Sequence, residues 1–278
     1  MNSARQWVAA AGRAAALVLL SSILSVCLIR FAPGYGVEEE WLDARRDASR
    51  RMRGEPFPVL LGKTLRGYFI GDWGSSRLFQ RPVKALIAER WAPTASGVAG
   101  GLALSWALAL PLALAAVRGR KFWFDAGTLA AAGLAQCLPA ALIGLALLAC
   151  GARGVFVLAI AVALVLTPRV YRLAHAILVE AAARDCVRAA QARGVGPWRV
   201  LLAHALPVAW APLAALAGVS VGQALGAAVP LEMVLDVPGL GQLAWQAALA
   251  RDLQLLVSLS ALIGLVVIAA NAIAETKS

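Results

Sequence analysis

The feature that most constrains this chain is a set of long stretches that carry no charged side chain. They run from Pro93 to Val117, Ala126 to Cys150, Pro207 to Val229 and Leu253 to Ile273. A helix needs about 20 largely apolar residues to cross the hydrocarbon core of a bilayer, and each of these is long enough. Two further apolar segments, about 9–31 and about 155–171, bring the expectation to about six spans. Composition agrees: 61% of the 278 residues are hydrophobic and 15% are charged, against about 25% charged in a soluble domain. The expected fold is all-α, a polytopic transmembrane helical bundle, and residues 1–278 read as one transmembrane domain.

Charge sets the expected orientation. The net charge of +11 sits mainly between the apolar runs, where Lys and Arg mark cytoplasmic loops. Nucleic-acid binding is the weaker reading of the same charge. Arg118, Arg120 and Lys121 form one basic loop, and a second runs from Arg169 to His204. The connection from Pro230 to Asp252 instead holds Glu232, Asp236 and Asp252 against Arg251 alone. Both termini are then expected in the cytoplasm, and the polar stretch of about 33–91 outside it. Arg5 and Arg13 flank the start of the first apolar segment, but no A-x-A site follows it. It reads as an uncleaved anchor.

Polar and small residues inside the spans suggest packing or a path. Gly218, Gly222 and Gly226 recur every four residues, as do Gly97 and Gly101. Such stripes allow close backbone approach, either inside one bundle or at an interface or translocation path. Gln136 and Gln223 lie deep in apolar sequence; each suits an interhelical hydrogen bond or a polar path. Pro111 and Pro139 are candidate kinks. The four cysteines, Cys27, Cys137, Cys150 and Cys186, form no CxxC pair. His175 and His204 stand alone, so no metal or other cofactor is expected on this chain. Gly62-Lys63-Thr64 imitates the end of a P-loop, but the upstream Gly position is Phe57. Glu38–Glu40 read as a solvated face.

The segment from Glu180 to Pro207 is too charged to span and rich in good helix formers up to Arg193. Gly194 is placed to end that helix in a left-handed conformation, and Gly196-Pro197 to turn the chain. A second helix should begin near Trp198 and lead into the next span. The segment resembles the EAA loop of ABC importer permeases, E-A-A-x3-G-x9-I-x-L-P, with Ala189, Ala190, Gly194, Leu206 and Pro207 at matching positions. Arg188 occupies the Glu position and His204 the Ile position. Asp185, Val187, Arg188, Ala189, Ala192 and Gly194 resemble the form found in the dipeptide, oligopeptide and nickel subfamily, with Cys186 replacing an aromatic.

The resemblance extends over most of the chain. Gly71-Asp72-Trp73-Gly74-Ser75-Ser76, Arg81-Pro82-Val83, Leu138-Pro139 with Gly144, Glu232 with Pro238-Gly239-Leu240-Gly241, and Ala250-Arg251-Asp252 follow in the family's order. The long first polar stretch resembles the B-type permease of the pair. The turn at Gly151–Gly154 is shorter than the usual segment there. The resemblance implies a subunit of a bacterial inner-membrane importer of di- or oligopeptides, with a nickel-type permease as the alternative. It implies a second homologous permease, two ATP-binding subunits that hold the ATP and Mg, and a periplasmic substrate-binding protein. It also implies an ATPase-coupling loop, about 176–205, centred on a helix from about Arg184 to Gly194. A secondary transporter without an ATPase would favour inverted repeats and intramembrane carboxylates, and a membrane enzyme would need a His/Asp/Glu cluster.

Overall fold

The computed structural model describes residues 73–119, 122–250 and 252–276, with isolated positions at 12, 16, 20 and 23. Gly12, Ala16, Leu20 and Ile23 are helical. The rest of the expected first span, most of the 33–91 stretch, Cys27, Glu38–Glu40 and Gly62–Thr64 lie outside the described residues.

Nine helices, among the described residues, follow the 73–82 segment. They are α1 (Val83–Gly119), α2 (Phe122–Gln136), α3 (Ala140–Ala149), α4 (Val155–Ala182), α5 (Asp185–Ala192), α6 (Pro197–Val200), α7 (Leu206–Val234), α8 (Leu240–Leu249) and α9 (Leu253–Thr276). A π-helical turn, Leu201–Ala205, joins α6 to α7. Four helical units are long and apolar enough to cross a membrane: α1, α4, the continuous Pro197–Val234 rod, and α9. The bent pair α2–α3 makes up to five if it counts as one span.

The all-α expectation holds, and the differences lie at the boundaries. The second expected span begins ten residues earlier, at Val83 rather than Pro93. Its 37 residues measure about 56 Å, longer than the hydrocarbon core. The added turns carry charges that are satisfied locally: Arg81 pairs with Glu89, and Arg90 donates to Gln242 Oε1 at 2.9 Å. The third expected span is not straight. It bends by 85° between α2 and α3, where Pro139 supplies no N–H and pushes Leu138 away from helical angles.

The fourth span continues past Tyr171 to Ala182. Ala174, His175, Leu178 and Ala181 keep facing inward at helical spacing, so nothing ends the helix earlier. The expected 176–205 loop therefore contains the end of α4, and its non-spanning part contracts to the region around α5. The fifth span is likewise extended, running unbroken from Pro197 to Val234. Pro207 cannot donate to Ala203, and the widened π turn directly before it accommodates the ring.

The connection expected between Pro230 and Asp252 is mostly helix too: α7 passes through Pro230, and α8 fills Leu240–Leu249. Helix α4 is central, lying along α1 and touching α2, α3 and α7, while α7 also packs on α9 and α8. Glycine sets the α1–α4 distance. A Cβ on Gly97 would lie 2.5 Å from Leu158, and one on Gly101 would lie 2.6 Å from Val162. In a bilayer such close van der Waals contact, rather than exclusion of water, holds helices together.

Candidate functional site

The hairpin between α4 and α7 is built from local signals. Arg184 is extended (ψ 145°) and stands at the start of α5. Asp185 in the first turn complements the positive end of the helix. At the other end Gly194 has φ +77°, where a side chain is disfavoured. Gly194 N–H donates to Gln191 O at 3.0 Å and Val195 N–H to Ala190 O at 3.3 Å. These two bonds satisfy carbonyls that the helix end would otherwise leave open, as in a Schellman motif.

The helix presents two faces. Val187 and Ala190 are buried and pack with Val200, Leu201 and Ala205, with Val117 of α1 against the same cluster. Arg184, Asp185, Arg188, Ala189 and Gly194 are exposed. The Glu180–Arg184 pair, at 3.6 Å, is also solvent-facing and adds little stability. The residues expected to form one coupling loop thus divide by role: Val187 and Ala190 anchor α5 to the bundle, and the exposed set faces outward. Leu206 and Pro207 open α7 instead, with Leu206 half-buried against the core of α1, α4 and α7.

The suspected pathway residues are not brought to one place. Gly218 lies against Asn271 and Ala274, and Gly222 against Val267, so α9 of the same chain occupies both positions. Gly226 has no atom within 4 Å of its Cβ position. Gln223 is half-buried, with its Oε1 unpartnered. Gln136 is exposed at the α2–α3 bend, where its amide donates to Ala132 O at 3.3 Å. No group of three His, Cys, Asp or Glu that could hold a metal occurs among the described residues.

Two buried carboxylates organise the opposite end of the bundle, and reading them as loop charges missed this. Glu232 is fully buried. Its Oε1 accepts from the Thr94 hydroxyl at 2.6 Å, and its Oε2 from the N–H groups of Gly241 (2.7 Å) and Gln242 (3.2 Å). Thr94 Oγ1 in turn accepts from Leu240 N–H at 2.7 Å. The start of α8 is thereby capped from outside. Gly239 and Gly241 have to be glycine, because a Cβ on the first would overlap Glu232 Oε2 and one on the second would lie 2.6 Å from the Val229 Cα.

Asp252 is equally buried. Its Oδ2 accepts from Ser76 Oγ (2.6 Å), Arg77 N–H (2.7 Å) and Leu78 N–H (3.1 Å), while Oδ1 accepts from Leu255 N–H (3.2 Å). Ser76 and Asp252, the last residues of two motifs far apart in sequence, therefore meet through one carboxylate. The available signal was their joint occurrence with the Pro-Gly-Leu-Gly run.

Comparison with known proteins adds to this geometry. Residues 101–276 match the family described as binding-protein-dependent transport system inner membrane component. A Brucella abortus (strain 2308) protein, named for a peptide transport system permease, is 27% identical over 93% of this chain and 91% of its own length. A Brucella suis protein named for a peptide permease is 28% identical over 93% of this chain and 92% of its own. The glutathione transport system permease protein GsiC of Salmonella paratyphi A is 28% identical over 71% of this chain and 69% of its own.

Proposed function

The chain belongs to the family of binding-protein-dependent transport system inner membrane components, a multi-pass permease of the ABC importer class, and from that premise we propose that its cargo is a short peptide. The names of its Brucella and Salmonella relatives support a peptide-class substrate. The complex would contain a second permease of the same kind, two ATP-binding subunits and a substrate-binding protein outside the membrane.

The observation that carries the coupling assignment is α5. Its inner face is fastened to the bundle through Val187 and Ala190, and its outer face offers Arg184, Asp185, Arg188 and Ala189. A short helix anchored in this way can receive a push from an ATP-binding subunit and pass it to α4 before it and to the Pro197–Val234 rod after it. The basic α5 side, and with it both termini, then faces the cytoplasm. The buried carboxylates at Glu232 and Asp252 lie at the opposite face. The chain itself hydrolyses nothing; ATP and Mg reside in the partners. Alternating access follows when nucleotide and substrate favour different arrangements of the helices.

The test is recovery of the tagged protein from membranes in mild detergent, with its neighbours identified by mass. A second permease and ATP-binding subunits are expected. Recovery of the chain alone, stable and monodisperse, would overturn the importer complex and favour a secondary transporter. Uptake of labelled di- and tripeptides, but not of nickel, by vesicles holding the complex separates the two substrate readings.

A further inference from the structure

Arg118 and Trp198 meet at the base of the hairpin, the guanidinium carbon 4.8 Å from the centre of the indole ring. Arg118 lies in the last turn of α1. Trp198 is the second residue of α6, just after the turn that follows α5. Trp198 remains 43% exposed, so burial alone does not hold the ring there.

The contact lies just beyond the glycine-containing turn of the hairpin. Gly194 and Gly196 have nothing within 4 Å of their Cβ positions, while Val195 between them packs on the apolar cluster of Val187, Ala190 and Val200. A load applied to α5 reaches the Pro197–Val234 rod through this turn. Beside Arg118, Val117 packs on the apolar cluster formed by Val187, Ala190 and Val200. Helix α1 is thus joined to both arms of the hairpin without being covalently next to either.

We infer that Arg118 and Trp198 are positioning residues, a strut that stiffens the coupling loop so that displacement of α5 drives the spans instead of flexing the glycine turn. The inference rests on α5 being the ATPase-coupling helix. A cation over an indole face is suited to the purpose, since it resists sliding while tolerating an aqueous surround.

The test uses the assembled complex in lipid nanodiscs, with Cys27 and Cys137 replaced by serine. Two exposed native cysteines remain as reporters: Cys186 on α5 and Cys150. Cys150 lies just before α4, whose 28 residues put it about 42 Å from the hairpin. Maleimide labelling is followed before and after trapping with ADP and vanadate. Arg118→Gln and Trp198→Ala should keep the shielding of Cys186 by the ATP-binding subunits. The trapping-dependent change at Cys150 should shrink about threefold to fivefold, the factor that a half-exposed cation–π contact supports.

Arg118→Lys and Trp198→Phe should retain most of the response, and the double variant should be no worse than either single one. An undiminished Cys150 response in Arg118→Gln and Trp198→Ala, or additive losses in the double variant, overturns the strut. Equal labelling of Cys186 with and without the ATP-binding subunits overturns the coupling assignment instead.

Discussion

Thr94 on α1 donates a 2.6 Å hydrogen bond to Glu232 on α7, across 138 residues of sequence. The same carboxylate holds the N–H groups of Gly241 and Gln242 in the first turn of α8, so three helices depend on one side chain. Glu232→Ala strands these donors in the interior, at about 1–3 kcal/mol for each group left without a partner. A marked fall in melting temperature in detergent is expected for Glu232→Ala. Glu232→Gln, which keeps one acceptor oxygen, should fall less. Equal melting of the parent and Glu232→Ala would show that the bond does not hold α8 in place.

Gly241 is the more demanding of the two glycines beside Glu232. A Cβ there would lie 2.6 Å from the Val229 Cα, and backbone cannot rotate out of the way. Gly241→Ala should lower the yield of folded protein in size-exclusion chromatography. Gly226→Ala, where nothing lies within 4 Å, should leave yield and melting unchanged. A transport defect in a well-folded Gly226→Ala would then place that position at a subunit interface or path.

Asp252 fastens the 73–82 segment to the start of α9 through Ser76 Oγ and two backbone N–H groups. Asp252→Ala should release the segment, which contains Arg77, and speed tryptic cleavage after Arg77 severalfold. Ser76→Ala removes one of the three donors and should have a smaller effect. Identical digestion of Asp252→Ala and the parent would contradict this tether.

At Gly194, φ is +77° and the N–H is bonded to Gln191 O. Proline fixes φ near −65° and has no N–H, so Gly194→Pro should break the end of α5. Gly194→Pro and, separately, a charge reversal at Arg184 should each uncouple ATP hydrolysis from uptake in the assembled complex. Normal substrate-stimulated turnover in both variants would remove α5 from the coupling role.

Gly101 fixes the spacing of α1 and α4, since its Cβ position is 2.6 Å from Val162 and 2.9 Å from the Ala159 carbonyl. Gly101→Val should cost about 1–3 kcal/mol through overpacking, read as a lower melting temperature. Tolerance at that position would mean the two helices can separate without loss.

Much of the architecture was legible in the chain itself. Charge-free runs of spanning length admit one solvent, the bilayer, and this alone determined the all-α class. The end of α5 was legible too, because a glycine after a run of helix formers marks a left-handed cap. The 85° bend was foreshadowed by Pro139. Span ends were less legible: α1 and α4 extend past the apolar runs because charged and amphipathic residues continue a helix wherever neighbours satisfy them.

Other features depended on contacts that no local pattern encodes. Glu232, Asp236 and Asp252 look alike in sequence, yet Asp236 is exposed in a turn while the other two are buried. Partners of the buried pair include Thr94, 138 residues away from Glu232, and Ser76, 176 residues away from Asp252. The stripe of Gly218, Gly222 and Gly226 is uniform in spacing, but α9 covers only the first two. Sequence alone indicated which segments are apolar and long enough to enter the membrane, because that depends on each segment's own transfer from water. Tertiary structure decided which polar and small groups pair inside, because that depends on what another helix brings to the same place.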